Sequence, residues 1–249
     1  MNISFGIITN GRSDDSVNAV IDSIEVQQIP NYEVIIVGNS QVNRNNTRIF
    51  KFNDNFVYAW IFKPKKFDRQ SLRNYFTTSG WITRKKNIIT AAAKFDNIVY
   101  CHDYVGFSAD WYKGFLAFGD DFAVCMTQIV NPDDSRFRDW MLCPWNNHAL
   151  DKVLGKNLEC LLPYDVQHLS KYMYISGTYW VAKKSVMLEF PLDESLCWGQ
   201  GEDVRWSKQV RQKYKFSMNC NSTVRLLNHK DPVFSLVSEG TKAILSGLQ

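Results

Sequence analysis

Two short apolar runs rich in β-branched residues flank an amphipathic helical stretch at the start of this chain. Ile3 to Thr9 is a short, largely apolar run rich in β-branched residues, as expected of a strand buried on both faces. Asn10-Gly11 then makes a turn, and Ser13 is placed to cap a helix. Within that helix Val17, Val20, Ile21 and Ile24 fall at i, i+3, i+4 and i+7 and form one apolar stripe. Pro30-Asn31 ends the unit, Glu33 to Val37 (EVIIV) is the next buried strand, and Gly38-Asn39-Ser40 is its exit turn. This alternation predicts an α/β fold, a mainly parallel sheet flanked by helices on both faces. In such sheets ligands sit beyond the carboxyl ends of the strands. The exits of interest are therefore Asn10-Gly11-Arg12, Gly38-Asn39-Ser40 and His102-Asp103-Tyr104.

Further along, Phe56 to Phe62 reads as a third strand. Thr83 to Phe95 reads as a helix with Ile88, Ile89, Ala92 and Phe95 inward. Asn97 to Val105 and Phe122 to Val130 read as strands four and five. Residues 131–170 are polar, proline-bearing and weakly periodic, so they read as a long loop region with at most a short helix. Tyr172 to Ala182 and Phe216 to Leu226 read as strands. Between them lies WGQGED, then a helix with Trp206, Val210 and Tyr214 at i, i+4 and i+8. No linker or repeat divides the 249 residues, which are expected to form a single domain over 1–249.

Composition excludes several classes. At 45% hydrophobic and 22% charged residues the chain is an ordinary globular one. Its net charge of +4 is too mild and dispersed for a nucleic-acid partner but suits a phosphate-bearing ligand. No run of 18 apolar residues predicts a membrane span. The opening MNISFGIITNGRSDD lacks a basic leader, and a cytoplasmic location is expected. Six scattered Cys without a CxxC pair read as reduced thiols, and the four His form no zinc spacing. The chain has no GxGxxG, no GxxxxGK[ST] and no GxSxG, which disfavours a dinucleotide fold, a P-loop and an α/β-hydrolase.

Two constellations remain. His102-Asp103 closes an apolar strand, where a carboxylate faces the ligand cleft and can hold a divalent ion bridging phosphate oxygens. The same Asp can equally cap the following turn. Trp198-Gly199-Gln200-Gly201-Glu202-Asp203 precedes an amphipathic helix. Acids favour helix N-termini through the macrodipole, but that effect asks for neither Gly-x-Gly nor Trp. Paired carboxylates beside an aromatic face suit the binding and deprotonation of a sugar hydroxyl.

The order ISFGIITNGR, YEVIIVGNS, WITRKKNIITAA, IVYCHDYV, ISGTYWVAKK and WGQGEDV resembles the GT-A glycosyltransferases across about residues 3 to 230. More narrowly it is similar to the inverting, nucleotide-sugar-dependent members, with WGQGED close to an element of β-1,4-galactosyltransferase-like enzymes. The resemblance implies a Rossmann-like GT-A fold, with residues to about 105 binding the nucleotide-sugar and about 106–249 the acceptor. It implies that Thr9, Asn10, Gly11 and Arg12 cradle the nucleotide and that Asn39 bonds the base. Arg84, Lys85 and Asn87 would approach the diphosphate and donor sugar, although Arg84-Lys85-Lys86 reads equally well as a solvated helix face. His102 and Asp103 would lie at the donor, Asp103 matching the last acid of the family's DxD element. This sequence departs there, with Cys101 in place of the first acid. Asp103 and His229 would share a Mn²⁺ or Mg²⁺ ion. Asp203 would be the general base, and Glu202 would orient the acceptor hydroxyl beside Trp198 and Gly199.

The eight Trp divide accordingly. Trp60, Trp111 and Trp180 read as core, whereas Trp140, Trp145 and Trp198 are expected to line an acceptor-sugar cleft. The implied activity is transfer of a sugar, from a UDP-sugar foremost, to a hydroxyl of a glycan or other acceptor. A non-catalytic carbohydrate- or nucleotide-binding module with the same fold is the alternative. A nucleotidyltransferase is disfavoured, because only Gly11-Arg12 stands where its glycine-rich loop would be.

Overall fold

The computed structural model describes residues 1–52, 82–142, 160–167, 172–196 and 201–231. The chain opens with β1 (Ile3–Ile8), α1 (Asp14–Glu25), β2 (Tyr32–Val37) and β3 (Thr47–Phe50). After α2 (Ile82–Ala92) come β4 (Asn97–His102), β5 (Val105–Phe107), α3 (Trp111–Phe118) and β6 (Val124–Val130). Three two-residue strands follow: β7 (Met141–Leu142), β8 (Cys160–Leu161) and β9 (Met173–Tyr174). The remaining elements are β10 (Tyr179–Lys183), α4 (Lys184–Glu189), α5 (Glu202–Val210) and β11 (Phe216–Leu226).

Eight strands form one sheet in the order β3-β2-β1-β4-β10-β6-β11-β5, and β8-β7-β9 form a small second sheet. The sheet is mainly parallel, as the alternation predicts, with β10 antiparallel to both its neighbours and β5 antiparallel at the edge. Register positions the site. Ile8 at the end of β1 lies opposite both Val37 and His102, so the exits of β1, β2 and β4 stand side by side. Because β10 runs backwards, Tyr179 pairs with Cys101. The residues just before Tyr179 therefore lie beside those just after Cys101, at the same sheet edge.

α1 forms as the sequence predicts. Ser13 adopts an extended backbone and accepts a hydrogen bond from the Ser16 amide, a cap worth about 1 kcal/mol. Val17, Val20, Ile21 and Ile24 are all buried against the sheet. At about 1.5–3 kcal/mol each, their burial rather than intrinsic propensity holds the helix in place.

α2 corrects the expected face. Its buried residues are Ile82, Thr83, Lys85, Lys86, Ile89 and Thr90, while Ile88 and Ala92 are only partly covered. The side chains of Lys85 and Lys86, 3% and 1% exposed, do not form a solvated face. Hydrophobic periodicity misjudged the helix because two inward positions carry ammonium groups.

Other boundaries differ as well. The strand beyond β2 is Thr47–Phe50, which carried no strand expectation; the one expected at 56–62 lies outside the described residues. The stretch from Asn97 to Val105 breaks at a turn after His102, and Tyr172 to Ala182 breaks at a turn around Gly177. Both turns enter the site. Tyr214, expected on the helix with Trp206, lies past its end and packs edge-on against Phe190.

The described part of 131–170 is a tied scaffold rather than a loose loop. Asp139, fully buried, accepts from the Arg136 guanidinium at 2.6 Å, the Trp140 amide at 2.6 Å and the Tyr164 hydroxyl at 2.7 Å. A buried carboxylate with this many donors rigidifies its surroundings. Trp140 is also wholly buried, with its indole N–H donating to the Val166 carbonyl at 2.8 Å. It is a core residue, which corrects the expectation that it lines a cleft. Trp111 and Trp180 are buried as expected, and Trp206 joins them. Trp60, Trp145 and Trp198 lie outside the described residues.

Candidate functional site

The site begins at the β1 exit. Thr9 donates its hydroxyl hydrogen to Asp103 Oδ2 at 2.6 Å and accepts from the Gly11 amide at 3.0 Å. Asn10 Oδ1 accepts from the Arg12 amide at 3.1 Å. Gly11 sits at φ +76°, and a Cβ there would collide with the Asn39 carbonyl. Gly38, at φ +148°, lies just as close to the Thr9 carbonyl. The first two exits thus touch backbone to backbone, which only glycine permits. Ser40 fastens the second exit by donating to Asp14 Oδ1 at 2.6 Å. Asn10, Gly11, Arg12 and Asn39 remain exposed around this junction.

Three lysines surround the β4 exit. Lys85 Nζ donates to the Thr9 carbonyl at 2.8 Å, and its charge acts on Asp103. Lys230 Nζ stands 3.3 Å from the Tyr104 ring centroid, and its charge also acts on Asp103. Lys86 Nζ donates to the Gly177 carbonyl at 2.7 Å. Burial pushes the Asp103 carboxyl above its ordinary value, and the Thr9 hydroxyl, Lys85 and Lys230 partly offset that. His102 stacks on Tyr104 at 5.0 Å. Burial, then the charges of Lys86, Lys230 and Lys85, hold its pKa well below the usual imidazole value, so it is neutral at neutral pH. Burial likewise lowers Lys230 to about 8.

The acidic pair closes the other side. α5 begins after Gly201, whose φ of +70° turns the chain into the helix. Glu202 is 8% exposed and Asp203 is half-buried. Asp203 Oδ2 accepts from the Gly177 amide at 2.8 Å, and its Oδ1 accepts from the Val204 amide at 2.8 Å. Burial raises the Glu202 carboxyl, the Asp203 charge raises it further, and Lys86 opposes both.

The structure therefore brings together Thr9, Asn10, Gly11, Arg12, Asn39, Lys85, His102 and Asp103 at one sheet edge, and Gly177 links that edge to Glu202 and Asp203. It does not bring in Arg84 or Asn87. Arg84 faces Glu194 at 3.8 Å, and Asn87 donates to the Leu192 carbonyl at 2.9 Å while its own carbonyl accepts the Leu192 amide at 3.0 Å. Trp198 and Gly199 lie outside the described residues. His229 faces Asp133 at 3.4 Å and Asp231 at 3.5 Å. Lys86, Gly177 and Lys230 escaped sequence reading. Their only signals were a second Lys in α2, a Gly before a strand and a Lys beside an expected ligand.

An eight-stranded, mainly parallel sheet with flanking helices and an open site at the strand exits is the Rossmann-like fold of GT-A-type glycosyltransferases. In particular, the chain is similar to S. aureus TarS 1-349, with 12% identity and a TM-score of 0.52 over 100% of this chain and 64% of that one. It is similar to GalNAc-T7, solved with UDP, GalNAc and Mn²⁺, with 11% identity and a TM-score of 0.59 over 96% of this chain and 46% of that one. It also matches TarS 1-349 in complex with UDP-GlcNAc, at 12% identity and a TM-score of 0.54 over 92% of this chain and 60% of that one. The chain spans less than two thirds of the length of each of these proteins. No protein-family model and no curated protein sequence matches it. Among the described residues, no helix is long and apolar enough to cross a membrane.

Proposed function

We propose that this chain is an inverting glycosyltransferase, moving a sugar from a UDP-sugar to a hydroxyl of a glycan or other acceptor. The observation that carries this reading is the convergence of an acidic pair and three lysines on one sheet edge. The Gly177 peptide joins the two groups by accepting from Lys86 at 2.7 Å and donating to Asp203 at 2.8 Å. The structural neighbours with bound UDP or UDP-GlcNAc support a nucleotide-sugar donor.

In this reading the exposed groups of Asn10, Gly11, Arg12 and Asn39 hold the nucleotide. The ammonium groups of Lys85 and Lys230 face the diphosphate and stabilise the charge that develops as it leaves. Glu202 orients the acceptor hydroxyl, with Trp198 and Gly199 flanking the acceptor. Asp203 takes the hydroxyl proton as the acceptor oxygen attacks the anomeric carbon from the face opposite the diphosphate. The bond to the diphosphate breaks with its electron pair leaving on UDP, so one displacement inverts the anomeric centre.

The proposed Mn²⁺ or Mg²⁺ ion fits these residues poorly. Among the described residues no three His, Cys, Asp or Glu side chains converge as a metal site. Asp103 already accepts from Thr9 and lies within the field of two lysines, while His229 faces two other acids.

The test is release of UDP from a panel of UDP-sugars, with and without acceptor. Replacing Asp203 with Asn should lower kcat by about 10²- to 10⁴-fold while UDP still binds. Full activity in that variant overturns Asp203 as base. Tight UDP binding with no UDP release from any donor would favour the binding module instead, to which Cys101 at the first DxD position points.

A further inference from the structure

Lys86 is a buried cation that touches neither donor nor acceptor in the proposed transfer. A lysine 1% exposed has lost nearly all its hydration, which is costly unless partners replace the water. Its partners are specific. Nζ donates to the Gly177 carbonyl at 2.7 Å and stands 4.2 Å from the Trp180 ring centroid. Trp180 is packed between Tyr100, 4.9 Å away, and Trp206 of α5, 5.5 Å away. A Cβ built on Gly177 would lie 3.3 Å from Asp203 Oδ2, 3.6 Å from Glu202 Oε1 and 3.6 Å from Lys86 Nζ. One glycine thus sits at the meeting point of an ammonium and two carboxylates. It is held on its carbonyl side by α2 and on its amide side by α5.

We infer that Lys86 is a positioning residue for the acidic pair, holding the Gly177 peptide against Asp203 and placing one positive charge between Glu202 and Asp203. This rests on the transferase reading for its consequence but not for its geometry. The groups facing Lys86 are Glu202 and Asp203 from α5 and Cys101 and His102 from β4. Burial lowers its pKa to about 8, and both acids oppose that. The positive charge is therefore largely present at neutral pH and lost above it.

The test compares Lys86→Met, Lys86→Gln and Lys86→Arg by two readouts. The first is the Glu202 carboxyl titration, followed by ¹³C NMR in the absence of ligand. The second is the pH profile of UDP release. Without the cation the Glu202 midpoint should move to higher pH in the Met and Gln variants, and the Arg variant should restore it. In turnover, kcat should fall roughly tenfold or more with the donor KM within about threefold, and the acidic limb should shift upward. Glutamine keeps a donor to Gly177 without the charge, so it carries the comparison if the Met variant does not fold. A folded charge-free variant with an unmoved Glu202 midpoint overturns the inference. Absence of UDP release by the wild type would instead overturn the transferase reading, and the titration would still decide the role of Lys86.

Discussion

Thr9 and Asp103, 94 residues apart in the chain, are joined by a 2.6 Å hydrogen bond from hydroxyl to carboxylate across the exits of β1 and β4. The same Thr9 oxygen accepts the Gly11 amide, so one hydroxyl orders both a turn and an acid. Replacing Thr9 with Val leaves a partly buried carboxylate oxygen short of a donor, at a cost of about 1–3 kcal/mol at most. Thermal melts should show that loss, and calorimetry should show UDP binding weakened by about tenfold. Thr9→Ser should keep both.

Lys85 is a buried cation at the β1 and β4 exits, tied to the Thr9 carbonyl and acting on Asp103. Removing it with Lys85→Ala should weaken UDP binding more than chelation with EDTA does. Calorimetric titration of both samples checks the order. A greater loss from EDTA would return the leading role to a divalent ion.

Glu202 has its carboxyl raised above the ordinary 4.5, chiefly by burial. The folded state therefore holds that proton more tightly than the unfolded chain does. The resulting penalty is absent below pH 4.5 and fully present above the folded-state pKa. Glu202→Gln should thus gain more thermal stability at pH 7.5 than at pH 4, while acceptor turnover falls. Paired melts at the two pH values test this, and an equal change at both would assign the effect to packing.

Trp140 and Trp198 should part company. Truncating the buried Trp140 to Ala should cost about 3–5 kcal/mol of stability with no preference between donor and acceptor. Trp198→Ala should leave the melt near wild type and weaken acceptor use far more than UDP binding. Thermal denaturation beside acceptor and donor saturation curves separates the two.

Much of this was legible in the sequence. Backbone and burial dictate a local pattern: the β-branched runs Ile3 to Thr9 and Glu33 to Val37, the Ser13 cap and the Val17–Ile24 stripe all read correctly. Each depends on residues a few positions apart. Gly11 and Gly38 marked turns for the same reason. The strand exits followed from the alternation, and the acidic pair from the Gly-x-Gly and Trp that precede it at a helix start.

The tertiary structure decided what depends on distance in sequence. Lys85 and Lys86 read equally well as a solvated helix face, because charge ordinarily seeks water. Their burial follows from carbonyls and carboxylates supplied by residues 76 to 117 positions away, at Thr9, Gly177, Glu202 and Asp203. Trp140 read as a surface platform because its segment has no period, and the Asp139 hydrogen bonds that bury it cross between segments. Arg84 and Asn87 were drawn to the 192–194 turn by partners no local pattern reveals. Periodicity records where apolar surface goes. It cannot record which buried charge finds its counter-charge, because that pairing exists only once the sheet has set its register.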